Sequence, residues 1–261
     1  MKKIILLTLA VLLIVLSVPF FGCNDPELKN WKIEVEGDYA VVKGYKDRNV
    51  TKLVIPATYK GVPVKKIGYM AFSVFENLEE VILPESIEEI GGIAFLGCDS
   101  LKEIDFVNTK KIGDSAFENC QNLERIVADK VEELGKRVFA SCRKLTDISL
   151  PKVTVIGAGT FSGCKSLYRF IAPEAKSVPN SAFIGCVKLA NLSMLSVLEV
   201  GSAAFCDCEN LQAVYFPKVK TIGELAFGEC PKLERVAVGN DLEFVHERAF
   251  VNSPNAQIIQ G

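Results

Sequence analysis

Residues 112–126 read IGDSAFENCQNLERI, and residues 222–236 read IGELAFGECPKLERV. Laid over each other, the two stretches share a branched residue and Gly, then Ala-Phe, Cys, Leu and Glu-Arg at identical offsets. The same frame extends in both directions. Its Phe column is Phe72, Phe95, Phe117, Phe139, Phe161, Phe183, Phe205, Phe227 and Phe250, with outer intervals of 23 residues and six inner intervals of 22. Three residues after each Phe stands Cys98, Cys120, Cys142, Cys164, Cys186, Cys208 or Cys230, replaced by Phe75 and Ser253 at the two ends. Three further on the column is Leu in every unit until Ala256, and a branched residue precedes each Phe by five.

A unit of this size cannot bury its own apolar face. Stacking the units turns the columns into continuous ladders of Phe, Leu, Ile and Cys and builds one elongated core. The L-x-x-I-x-L segment ends in alternation and predicts short parallel strands, Leu78–Leu83 in the first unit and Leu145–Leu150 in the fourth. I-G-x-x-A-F is too short for a full helix and predicts a tight turn or a single helical turn. Pro84, Pro151, Pro173 and Pro217 follow strands and stop the pairing. Residues 31–66 fall outside the repeat. Their alternating apolar residues and Gly-Asp and Lys-Gly turns predict a β cap on the first coil, reached through a tether at 23–30.

These residues resemble the leucine-rich repeat of the bacterial surface antigen (BspA-like) family, and LVIPATYKGVPVKKIGYMAF at 53–72 resembles the segment that opens its arrays. The resemblance spans about residues 50–260. It implies an α/β leucine-rich-repeat solenoid, here of about nine 22-residue coils over 67–261, with a parallel sheet on one face. It also implies an exported, non-enzymatic protein used in adhesion to host proteins or other cells.

The first 22 residues, MKKIILLTLAVLLIVLSVPFFG, carry two Lys and then an apolar run, the form of a secretory signal peptide. An uncleaved membrane anchor fits the same run. Gly22-Cys23 resembles the lipobox of bacterial lipoproteins, which implies lipidation at Cys23 and display at the cell surface on the outer membrane. Without the lipid, the exported chain is secreted or periplasmic. A net charge of −2 over 261 residues argues against a nucleic-acid partner, and the single His removes most His-based metal and acid–base sites. No cofactor is expected.

The Cys column reads as buried neutral thiols, because ladder rungs do not converge like metal ligands. Cys206, outside the column, is a candidate exposed thiol. IGAGTFSGC at 156–164 looks like a phosphate loop but is the repeat with Gly159 and Thr160 substituted. His246, in VHERAF, lacks the second His of a zinc-protease helix and reads as an exposed or capping residue, and the sequon at Asn49 has little meaning in a bacterial protein. The positions between the buried strand columns are expected to face outward. They combine Arg125, Arg169 and Arg235 with Val127, Ile171 and Tyr215, and Tyr168 stands beside them. Arg and Tyr beside apolar residues suit a protein or glycan partner, possibly host-derived. A scaffold in the envelope binding a bacterial partner is the other reading of the same face.

Overall fold

The computed structural model describes residues 26–261. The expected signal segment and Cys23 lie outside the described residues. A 3-10 turn, Pro26–Asn30, leads into a hairpin of β1 (Trp31–Glu36) and β2 (Tyr39–Tyr45). β2 then pairs in parallel with β5 (Val62–Ile67), which forms its own hairpin with β4 (Thr58–Tyr59). β3 (Lys52–Val54) already lies in the main ladder, with Lys52 beside Glu80, so the rungs begin inside the 31–66 segment rather than at residue 67. This end of the stack is closed chemically as well as sterically. The Arg48 guanidinium donates to the Ser73 carbonyl at 2.8 Å and lies 5.0 Å from the centre of the Phe75 ring.

Numbering the coils 1 to 9 by their Phe residues, the rings of Phe72 through Phe227 are fully buried, and Phe250 is half-buried at the end. Neighbouring rings in the column stack 5.0–5.7 Å apart between centroids. Trp31 meets Phe72 edge-on at 6.2 Å and starts the column. Phe106, Phe170 and Phe216 reach in from the strand side, and Phe170 sits 4.8 Å from Phe183 in a T-shaped contact. Each coil thus contributes a large apolar area that is desolvated only when its neighbours are in phase.

The strands are shorter than the expected six residues. The first is Glu80–Ile82 and the fourth Asp147–Ser149, each exposed, buried, exposed along its length. Leu78 belongs instead to the preceding turn, where its N–H donates to the Phe75 carbonyl at 3.1 Å. Strand pairing runs in three groups, from β3 through Arg125–Val127, from Asp147–Ser149 through Asn191–Ser193, and from Ala213–Phe216 through Gln257–Gln260. A second parallel ladder, absent from the sequence reading, joins two-residue strands at the branched column, such as Glu89–Ile90, Lys111–Ile112 and Glu133–Leu134.

The turn around each Phe shows why the α component of the expected α/β class shrinks to a single 3-10 turn among the described residues. In coil 3, the N–H groups of Ser115, Phe117 and Asn119 donate to carbonyls of the next coil, those of Lys136, Val138 and Ala140, at 2.8–2.9 Å. The N–H groups between them close local turns, Ala116 to Gly113 and Glu118 to Ser115. Alternation of this kind requires left-handed backbone two residues before and after each Phe. Ser115 has φ of 54° and Asn119 of 62°, and the same two columns are left-handed in coils 1 through 8. A run of helical bonds cannot form when every second donor is committed to the neighbouring coil.

Charge follows the same geometry. Beside the branched column stand Lys65-Lys66, then Glu88-Glu89, Lys110-Lys111 and Glu132-Glu133 on successive coils. Lys66 pairs with Glu89 at 2.7 Å, Lys65 with Glu88 at 3.3 Å and Lys111 with Glu133 at 2.9 Å. Such exposed pairs stabilise little individually, but their alternation favours one register over its neighbours.

Phe161 lies between Phe139 and Phe183, so Phe161→Ala should cost about 3–5 kcal/mol in urea unfolding; an unchanged midpoint would contradict the packing. Gly163 is left-handed at φ 71° with no backbone or side chain closer than 3.6 Å to an added Cβ. Gly163→Ala should therefore destabilise by about 1 kcal/mol through conformation alone, while Val74→Gly, at the same position of coil 1, should stabilise by a similar amount.

Candidate partner-binding face

Two ladders compete for attention as functional sites, and their hydrogen bonds separate them. In the first, each column thiol is spent on a carbonyl. Cys120 Sγ–H donates to Phe95 O at 3.2 Å, Cys142 to Phe117 at 3.2 Å and Cys164 to Phe139 at 3.1 Å, and the pattern continues to Cys230. Phe95 O also accepts the N–H of Cys98 at 3.2 Å, so both of its lone pairs are used. Ser253, which replaces Cys in coil 9, makes the same bond to Phe227 O at 2.6 Å. The column is a hydrogen-bonded spine of free thiols. Among the described residues no three His, Cys, Asp or Glu side chains converge as a metal site would require. Thr160, the departure that made 156–164 look like a phosphate loop, is buried, with its hydroxyl 2.6 Å from Gly157 O and 2.9 Å from Gly135 O. Nδ1 of His246 accepts from the Arg248 N–H at 3.1 Å and serves as a local turn contact.

The second ladder is the outward side of the main strands, where burial alternates with the pleat. Arg125, Arg169 and Arg235 are exposed, Val127 and Ile171 are half-buried, and Tyr215 is 56% exposed. Tyr168 precedes its strand and is 53% exposed. Parallel register sets Arg169 between Asp147 and Asn191, and Ile171 between Ser149 and Ser193. Nε of Arg169 donates to Asp147 Oδ1 at 2.9 Å, which ties the guanidinium to the neighbouring coil. The seven predicted residues are strung over coils 3 to 8 on one side and are not gathered into a pocket. Tyr168, Arg169 and Ile171 are adjacent on coil 5. Arg125 and Val127 border an open recess of about 370 Å³ with Glu80, Glu103 and Asp105.

A protein-family comparison matches residues 43–168 and 132–257 to the BspA type leucine rich repeat region. The chain belongs to the BspA-type leucine-rich-repeat family. Two solved structures share its fold at appreciable identity. The T. pallidum leucine-rich repeat protein is 29% identical, with a TM-score of 0.65, over 70% of this chain and 88% of that one. A leucine rich cell surface protein from Faecalibacterium prausnitzii is 25% identical, with a TM-score of 0.67, over 89% of this chain and 75% of that one. A search of curated proteins returned no match. No helix of the described residues is long and apolar enough to cross a membrane.

The thiol spine gives this part of the protein a pH limit. Burial pushes Cys98, Cys164 and Cys230 from an ordinary 9.0 up to about 12, and moves Cys120, Cys142, Cys186 and Cys208 in the same direction. The unfolded chain therefore loses these protons first as pH rises. Stability is intact below about pH 9 and falls progressively between about 9 and 12. Half-buried Cys206 is also raised, by burial and then by the Asp207 and Glu229 carboxylates. Alkylation of the folded protein at mild pH should modify Cys206 slowly and spare the seven column thiols until denaturant is added. Early labelling of the column would show that the spine is open.

Proposed function

We propose that this chain is a non-enzymatic binding protein, exported and held at the bacterial cell surface through lipidated Cys23, which uses the outward face of its main ladder to adhere to a protein or glycan. The observation that carries this reading is the composition of that face. From Lys52–Val54 to Arg169–Ile171 each three-residue strand buries its central residue and turns the flanking ones outward, and the outward set of the ladder includes three Arg and Tyr215 beside half-buried Val127 and Ile171, with exposed Tyr168 just ahead of its strand. Arg and Tyr are the residues on which interface energy concentrates. A rigid stack of about 40 Å, taking ~4.8 Å per rung, presents them over the roughly 24 Å between coils 3 and 8, which favours many modest contacts with a large partner over enclosure of a small one. Membership of a repeat family supports a binding role, and the cell-surface description of the F. prausnitzii relative supports export. On this reading no cofactor takes part.

Protease treatment of intact cells should remove the chain, and residues 24–261 should recover a partner from the surroundings. Replacing Arg169, Ile171 and Tyr215 together with Ala should abolish that recovery without lowering the unfolding midpoint. Recovery that survives the triple change would move the interface off this face.

A further inference from the structure

We infer that the sheet side of coils 4 to 6 is the docking surface for an acidic polypeptide segment. This rests on the outward face being the binding face and adds the chemistry of what it binds. The near-neutral total hides a strong segregation of charge. Residues 136–188 carry nine Lys and Arg against two Asp and Glu, a net +7, while the rest of the chain carries 21 against 30, a net −9. Folding wraps the basic stretch into three successive coils. Their strands, Asp147–Ser149, Arg169–Ile171 and Asn191–Ser193, pair with each other as a separate group of the main ladder.

The cations of this belt are unequally committed. Arg169 is held by Asp147, and Lys144 lies 3.5 Å from Glu124. Arg143, Lys165 and Lys188 are exposed and form no ion pair among the described residues. They stand on three successive coils in the turn that feeds the outward strands. The Ser166 N–H donates to the Arg143 carbonyl at 3.2 Å, which stacks the first two turns directly. Three rungs span about 10 Å. That is close to the screening length of about 8 Å at physiological salt, so the three charges act together, and Glu124 and Glu209 on the two flanking coils mark the limits of the positive patch. Tyr168 and Ile171 supply apolar contact at the edge of this positive field. Unpaired cations beside an aromatic anchor on a flat, open strand face fit an extended chain rich in Asp and Glu.

The test is fluorescence anisotropy of a labelled poly-glutamate peptide with the purified protein. Binding should weaken steeply as salt rises. Reversing Arg143, Lys165 and Lys188 together to Glu should weaken it by about tenfold or more, and Tyr168→Ala should weaken it further. The conservative set Arg143→Lys, Lys165→Arg and Lys188→Arg should bind as the parent does. Binding that is absent, or unchanged by the reversal, overturns the inference. So does tighter binding to a polyuronate, to phosphatidylserine vesicles or to a DNA duplex of matched charge. If poly-glutamate fails while the Arg169, Ile171 and Tyr215 variant still loses its surface partner, the face stands as the binding site and only its acidic ligand is wrong. If both fail, the face itself is wrong.

Discussion

Each coil is held by a phenylalanine ring that has to lie nearly flat against the ring of the coil before it. That contact fixes the phase of the whole stack. With the rings separated by 5.0–5.7 Å, the Leu and branched columns meet their counterparts, the carbonyl of each Phe faces the thiol of the next coil, and the strands fall into parallel register. Loss of phase at one ring would uncover apolar area and strand hydrogen-bonding groups together, so packing and polar satisfaction fail as a unit. Stability here is a property of neighbours rather than of any single coil.

The buried columns were legible from spacing alone, because identical residues at a fixed period have one cheap explanation. The left-handed columns were less visible. Two residues after each Phe, the series Gly97, Asn119, Gly163, Gly185 and Asp207 carries the usual signature of that conformation. Two residues before, Met70, Ile93, Arg137 and Leu225 carry none, since there the cost is imposed by cross-coil hydrogen bonds that only the assembled stack makes. The second ladder escaped notice for a related reason. Two-residue strands leave no alternation to read.

The outward face was legible as a set of positions, since the pleat decides which side chains leave the core. Its electrostatics were not, although every residue was in view. A net charge averaged over the chain cancels a basic middle against acidic ends, and only the fold shows that sequence-adjacent charges stay adjacent in space, coil upon coil. In a solenoid, contiguous sequence is a contiguous belt, so charge read in windows of a few coils describes a real band of the stack, and the position within the coil decides which face each charge joins.

The alternating Lys and Glu rows beside the branched column have a bearing on how such an array changes length. Excising coil 2 alone would bring Lys65 and Lys66 over Lys110 and Lys111, whereas excising coils 2 and 3 together would leave them over Glu132 and Glu133. In this stretch the charge pattern therefore repeats every two coils while the packing repeats every one, so only an even change in coil number keeps unlike charges stacked.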